Sequence, residues 1–229
     1  MHPPKWRKLT LFLALAAALC LTPLAASAAL TFDFDLNSPN LALSTYTGPY
    51  ATVHIDVTSG NAEFTVTGLP NSTLQYLLGG EAAFAANFAT EVTLSGFDWT
   101  DGNGSTAFTP AYDYTPPTFQ VSEFGRFNVK IDDFDGYGAA VTSLTFTATP
   151  SSGTFTDAAS VLVNNSNTPA FYAASHIFVQ DTLNPTEALT TGFAGNGDQG
   201  VVIPLPPTVW LMGTGLLGVG LLGWRRKKV

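Results

Sequence analysis

Thr31-Phe32-Asp33-Phe34-Asp35-Leu36 alternates strictly between apolar and polar side chains. A strand turns successive side chains to opposite faces, so Phe32, Phe34 and Leu36 point to a core while Asp33 and Asp35 point to water. Val53-His54-Ile55-Asp56-Val57 repeats the pattern. Ser59-Gly60-Asn61 then turns the chain into Ala62-Glu63-Phe64-Thr65-Val66, which reads as the second arm of a hairpin. Further strands are expected over residues 91–94 and 141–147, and over 119–124 and 126–131 as a pair hinged at Gly125. Residues 174–179 read as the last long strand. Residues 81–88 suit one or two helical turns and suit a loop equally. Roughly eight or more short strands between Gly, Pro and Asn turns imply an all-β fold, an antiparallel β-sandwich in which a jelly-roll arrangement is one option. No repeat at solenoid or propeller period is present.

The two ends of the chain read differently from this middle. Lys5, Arg7 and Lys8 precede an apolar run over residues 9–21 that only Thr10 interrupts. Pro23 follows, then Ala26-Ser27-Ala28 before Ala29. A basic start, an apolar stretch and small residues at −3 and −1 define a secretory signal peptide, here residues 1–28, with cleavage between Ala28 and Ala29. An uncleaved anchor is the alternative. Cys20, the single cysteine, lies inside this segment, so the exported part has neither disulfide nor thiol chemistry.

At the other end, Ile203-Pro204-Leu205-Pro206-Pro207 is followed by uncharged residues from Val209 to Trp224, then by Arg225-Arg226-Lys227-Lys228 and Val229. Sixteen helical residues would span about 24 Å, somewhat short of a hydrocarbon core of about 30 Å. Trp210 and Trp224 suit the two interfaces, and the four basic residues suit a cytoplasmic stop that leaves the preceding domain outside. Gly213-Thr214-Gly215-Leu216-Leu217-Gly218 matches a dinucleotide-binding string in letters only, because no βαβ context surrounds it.

The order of proline-rich peptide, short Gly/Leu helix and basic end resembles a PEP-CTERM sorting tail of the VPLPA type, over residues 201–229. Ile203 stands where that pattern has Val, and Pro207 where it has Ala. The resemblance implies a bacterial exported protein handled by an exosortase, an intramembrane transpeptidase-like enzyme with a Cys nucleophile. It also implies association with exopolysaccharide and biofilm. The partners expected are then the secretion machinery, signal peptidase, the exosortase-type enzyme and exopolysaccharide, with the membrane engaged through the C-terminal helix. A plain single-span anchor is the alternative. The expected location is an inner-membrane-anchored precursor whose domain lies outside the cytoplasm, then the cell surface or matrix.

Between the ends, all 17 acidic residues stand against only Arg126 and Lys130, a net charge of −15 that the whole-chain value of −8 conceals. Such a segment repels nucleic acid and attracts cations. The expected division is 1–28 signal peptide, 29–190 exported β domain, 191–203 flexible Gly-rich spacer and 204–229 sorting tail.

Candidate chemistry is sparse. Asp132, Asp133 and Asp135, before Gly136, form the densest acidic run and are the candidate ligands for Ca²⁺, which takes carboxylate oxygens. Aligning Gly136 to the EF-hand glycine puts Ile131 and Thr142 where acids are required, so that template fails. A second acidic loop is read at residues 98–104. Tyr112 and Tyr114, flanking Asp113 within 108–117, are the candidate carbohydrate contacts, displayed on a loop. His54 lies two residues before Asp56 on one strand face, within reach of a hydrogen bond. No G-x-S-x-G presents a nucleophile, so no enzymatic activity is expected. Two carboxylates alone serve a glycosidase, and the many acids leave that reading open as the remotest one. The leading expectation is an envelope or matrix structural or interaction protein. The alternative is a carbohydrate-binding module, with or without calcium.

Overall fold

The computed structural model describes residues 30–102, 111–132 and 134–197. The alternating stretches become strands where they were expected. Strand β1 (Thr31–Leu36) buries Phe34 and Leu36 and exposes Asp33, a short β2 (Ser38–Pro39) follows, and β3 (Ala51–Thr58) buries every second residue. Strand β4 (Asn61–Gly68) completes the hairpin, with Val53 opposite Val66 and Ile55 opposite Phe64. The turn uses Ser59 at φ 54° and Gly60 at φ 85°, the left-handed geometry that a tight hairpin needs.

The remaining strands are β5 (Pro70–Asn71), β6 (Leu74–Leu78), β7 (Phe84–Ala86), β8 (Val92–Asp101), β9 (Tyr112–Gln120), β10 (Arg126–Ile131), β11 (Val141–Pro150), β12 (Ala173–Asp181) and β13 (Ala188–Gly195). All pairings are antiparallel, and the only helices among the described residues are single 3-10 turns. The fold is therefore all-β and antiparallel.

The pairings form two groups. One runs β1-β3-β4-β11-β8. The other centres on β12, which pairs β13 along one edge and both β6 and β7 along the other, with β10 and β9 continuing from β7. They meet in the ladder at one pair, Val141 opposite Leu78. Rings from both groups fill the space between them. Phe64 stacks on Phe146 at 4.8 Å, and each meets Phe84 of β7 at 6.1 and 5.9 Å. Phe34 of β1 meets Tyr172, just before β12, edge-on at 4.6 Å. Such pairs add about 0.5–1.5 kcal/mol each beyond the area they bury.

Several expectations need correction. Residues 84–86 are strand, not a helical turn or loop. The Ala/Phe run there is buried on both faces, against the main core through Phe84 and Ala86 and against a second cluster of Phe124, Phe127 and Phe171 through Ala85. Two-sided burial erases alternation, so the run carries no strand signal. The strand after residue 91 extends to Asp101, so most of the second acidic loop is strand. The chain is already in β9 at Tyr112, and residues 122–124 are a 3-10 turn before Gly125 at φ 92°. The strand over 174–179 is not the last. Residues 191–195, assigned to the spacer, are the second half of β13 and pair with β12 as far as Gly195 opposite Ala174. Their Gly and Thr content misled, because Gly192 is small for a packing reason. A Cβ there would meet Asn40 Oδ1 at 2.5 Å and Leu43 Cγ at 2.8 Å.

The segments expected to be a signal peptide and a tail helix lie outside the described residues. Among those that are described, no helix is long and apolar enough to cross a membrane.

Candidate functional site

Strands β8 and β9 each have one described partner strand, β11 and β10 respectively. Between them lies an open groove of about 690 Å³. Its described walls include Leu94, Ser95, Gly96, Phe97 and Trp99 from β8, with Tyr112 from β9. The local sequence explains the shape. Gly96 sits at φ 63°, and the β8–β11 register slips between Thr145 and Thr147, so β8 bulges here. The bulge turns the side-chain sequence by one place, which lets Leu94, Phe97 and Trp99 all face inward. Phe97 and Trp99 are half-buried, their inner sides against Phe146 at 5.9 Å and Phe134 at 5.9 Å. Tyr112 closes the other wall at 6.2 Å from Phe97. The volume falls within the range of about 300–1,000 Å³ usual for small-ligand sites.

Tyr112 and Tyr114 are thus strand residues rather than a loop display. Both pack against the core on the inward face of β9, and only Tyr112 belongs to the groove. Burial, aided by the nearby Glu91 charge, pushes the Tyr114 phenol above its usual pKa. Asp113 between them is exposed and faces Lys130 across the ladder.

Of the acidic run, Asp132 and Asp135 are described. Asp132 Oδ2 sits 2.5 Å from Lys130 Nζ, and the same ammonium lies 5.3 Å above the Phe119 ring. A cation at Asp132 would have to compete with that ammonium. Asp135 is exposed beyond it, and Asp133 lies outside the described residues. Among the described residues, no three His, Cys, Asp or Glu side chains converge on one point. The remaining sequence candidates also lie outside: Ala26, Ala28 and Ala29, residues 203–207, and Arg225, Arg226, Lys227 and Lys228.

Both histidines of the β domain find partners that sequence spacing did not indicate. His54 Nδ1 is 2.6 Å from Asp33 Oδ1 on β1, not bonded to Asp56, because the register sets Asp33 directly opposite. Both side chains are exposed, at 45% and 73%, so the pair adds little to stability. His176 Nδ1 lies 3.0 Å from the Gly79 carbonyl, and Nε2 lies 2.5 Å from Thr191 Oγ1. A carbonyl only accepts, so Nδ1 carries a proton, while the single Thr191 hydroxyl proton is shared between Nε2 and the Ile177 carbonyl 3.1 Å away. Burial holds the imidazole below its usual pKa, partly offset by Gly79 and by the Glu81 charge. Neither Thr191 nor His176 lines this groove or the smaller cleft of about 110 Å³ between Glu81 and Lys130.

No family model, curated protein or solved structure matches this chain. The groove and its rings therefore stand on their geometry alone. Trp99 was legible only as part of an acidic loop and Phe97 was not singled out, since recognising them needs the bulge at Gly96. The one available signal was that glycine, inside a strand pattern.

Proposed function

We propose that the chain is an exported structural or interaction protein of the bacterial envelope or extracellular matrix, delivered by its signal peptide and sorted through its C-terminal tail by an exosortase-type enzyme. It is that enzyme's substrate. The order of Ile203–Pro207, the apolar Gly/Leu segment and Arg225–Lys228 carries this reading. The two strand groups with rings between them support reading the exported part as a β-sandwich, a frame suited to surface binding rather than to buried chemistry. Its acidic surface keeps it soluble and away from nucleic acid.

The test is the intact mass and terminal peptides of the mature protein, from cells with and without the sorting enzyme. A chain starting at Ala29 that loses residues 209–229 only when the enzyme is present supports the proposal. Retention of the basic end in both strains overturns the sorting step and leaves a membrane-anchored exported domain. A second reading, a carbohydrate-binding module, is favoured by one observation, the half-buried aromatic walls of the β8–β9 groove.

A further inference from the structure

Trp99 is the only tryptophan within residues 29–207. We infer that the β8–β9 groove binds a neutral hexose oligosaccharide segment, with sugar faces packed on Trp99 and Tyr112, and that it does so without a metal ion. This rests on the carbohydrate reading and is independent of the sorting step.

Charge selects the occupant. None of the described lining residues is charged, while the surrounding segment carries −15. An anionic polymer or a phosphate is repelled by that field and meets no cation in the groove. A bound metal would find no carboxylate among the described walls. A neutral sugar chain matches what the walls offer. Its C–H faces are apolar and pack on rings, and its hydroxyls need donors and acceptors, which the Ser95 hydroxyl and the β8 edge supply.

A peptide strand is the competing occupant. Strand addition needs a regular ladder of backbone groups, and β8 is interrupted at Gly96 while β9 carries Pro116 and Pro117, which lack an N–H. Gly96 is required by its φ of 63° rather than by packing. A Cβ there would meet only Thr147 Oγ1, at 3.6 Å.

The single indole makes the groove its own reporter. The full-length chain carrying Trp6→Phe, Trp210→Phe and Trp224→Phe, in a detergent without a sugar headgroup, is titrated with cellohexaose, maltohexaose and mannohexaose. Trp99 emission is followed, with and without chelator. The expected result is a saturable shift with at least one glycan, unchanged by chelator. In Tyr112→Ala, with an unaltered melting curve, the dissociation constant should rise about tenfold or more. Calorimetry on Trp99→Phe provides the same comparison without fluorescence. The inference is overturned by no saturable change up to about 10 mM of any of the three glycans, by undiminished binding in a folded Tyr112→Ala, or by binding that chelator abolishes. Undiminished binding would move the sugar site elsewhere and spare the carbohydrate reading. Absence of all binding would remove both, and neither outcome touches the sorting proposal.

Discussion

Asn128 shows how one side chain replaces a missing piece of ladder. The β7–β10 pairing ends at Ala86 opposite Val129. There the Asn128 amide takes over, accepting from Phe88 N at 2.8 Å and donating to Phe88 O at 2.8 Å. Asn128→Ala would strand both groups beside a buried ring, and should cost about 2–4 kcal/mol in urea unfolding, with m unchanged. Ser175 is the converse. Its Oγ is buried without a hydrogen-bond partner, so Ser175→Ala should be neutral or raise stability by up to about 1 kcal/mol. A loss above about 1 kcal/mol would show that the hydroxyl is in use.

His176 predicts a pH dependence. Its folded pKa lies below the usual 6.5, so the unfolded chain binds the proton more tightly. The stability it contributes is complete above about pH 6.5 and is lost as pH falls from there through the lower folded value. Urea midpoints from pH 7.5 to 5.5 should fall in the native chain and fall less in His176→Gln. Parallel curves for the two would place the dependence elsewhere.

At the scale of elements, the joint between β6 and β7 allows no side chain. Gly80 has φ 69°, and an added Cβ would lie 2.0 Å from His176 Nδ1. Gly80→Ala therefore strains the backbone and displaces the imidazole from Gly79 and Thr191 together. The expected loss is at least about 2 kcal/mol, with the His176-linked pH dependence weakened in the same variant. A Gly80→Ala protein with native stability would mean that β12 shifts to make room. Elements at the rim show a related economy. The edge strands β8 and β9 carry the bulge and the prolines that discourage strand addition, and the same bulge shapes the groove.

Over the whole molecule, the charge imbalance of the β domain dominates. With 16 acids against two bases from Ala29 to Gly197, self-repulsion opposes the compact state. Raising sodium chloride from about 10 to 150 mM shortens the Debye length from about 30 to 8 Å and should raise the melting temperature of the segment from Ala29 to Gly197 by a few degrees. A salt-independent melt would mean that the carboxylates are spread too far apart to interact.

The sequence by itself determined the all-β class, because strands exposed on one face must alternate, and β1, β3, β4 and β11 do. It also determined the charge distribution and the expectation of export, which rest on local composition. It could not show β7 or β13, where burial on two faces or close packing at Gly192 replaces alternation. Only the tertiary structure decided that Trp99, Phe97 and Tyr112 share one groove. Tyr112 is separated from Phe97 by fourteen residues, and what brings them together is a one-residue bulge and the pairing of each strand with a different neighbour. Local sequence sets which way a side chain points along its own strand. Which strands face each other is settled by packing the two groups around a common aromatic core, and that is a property of the whole chain.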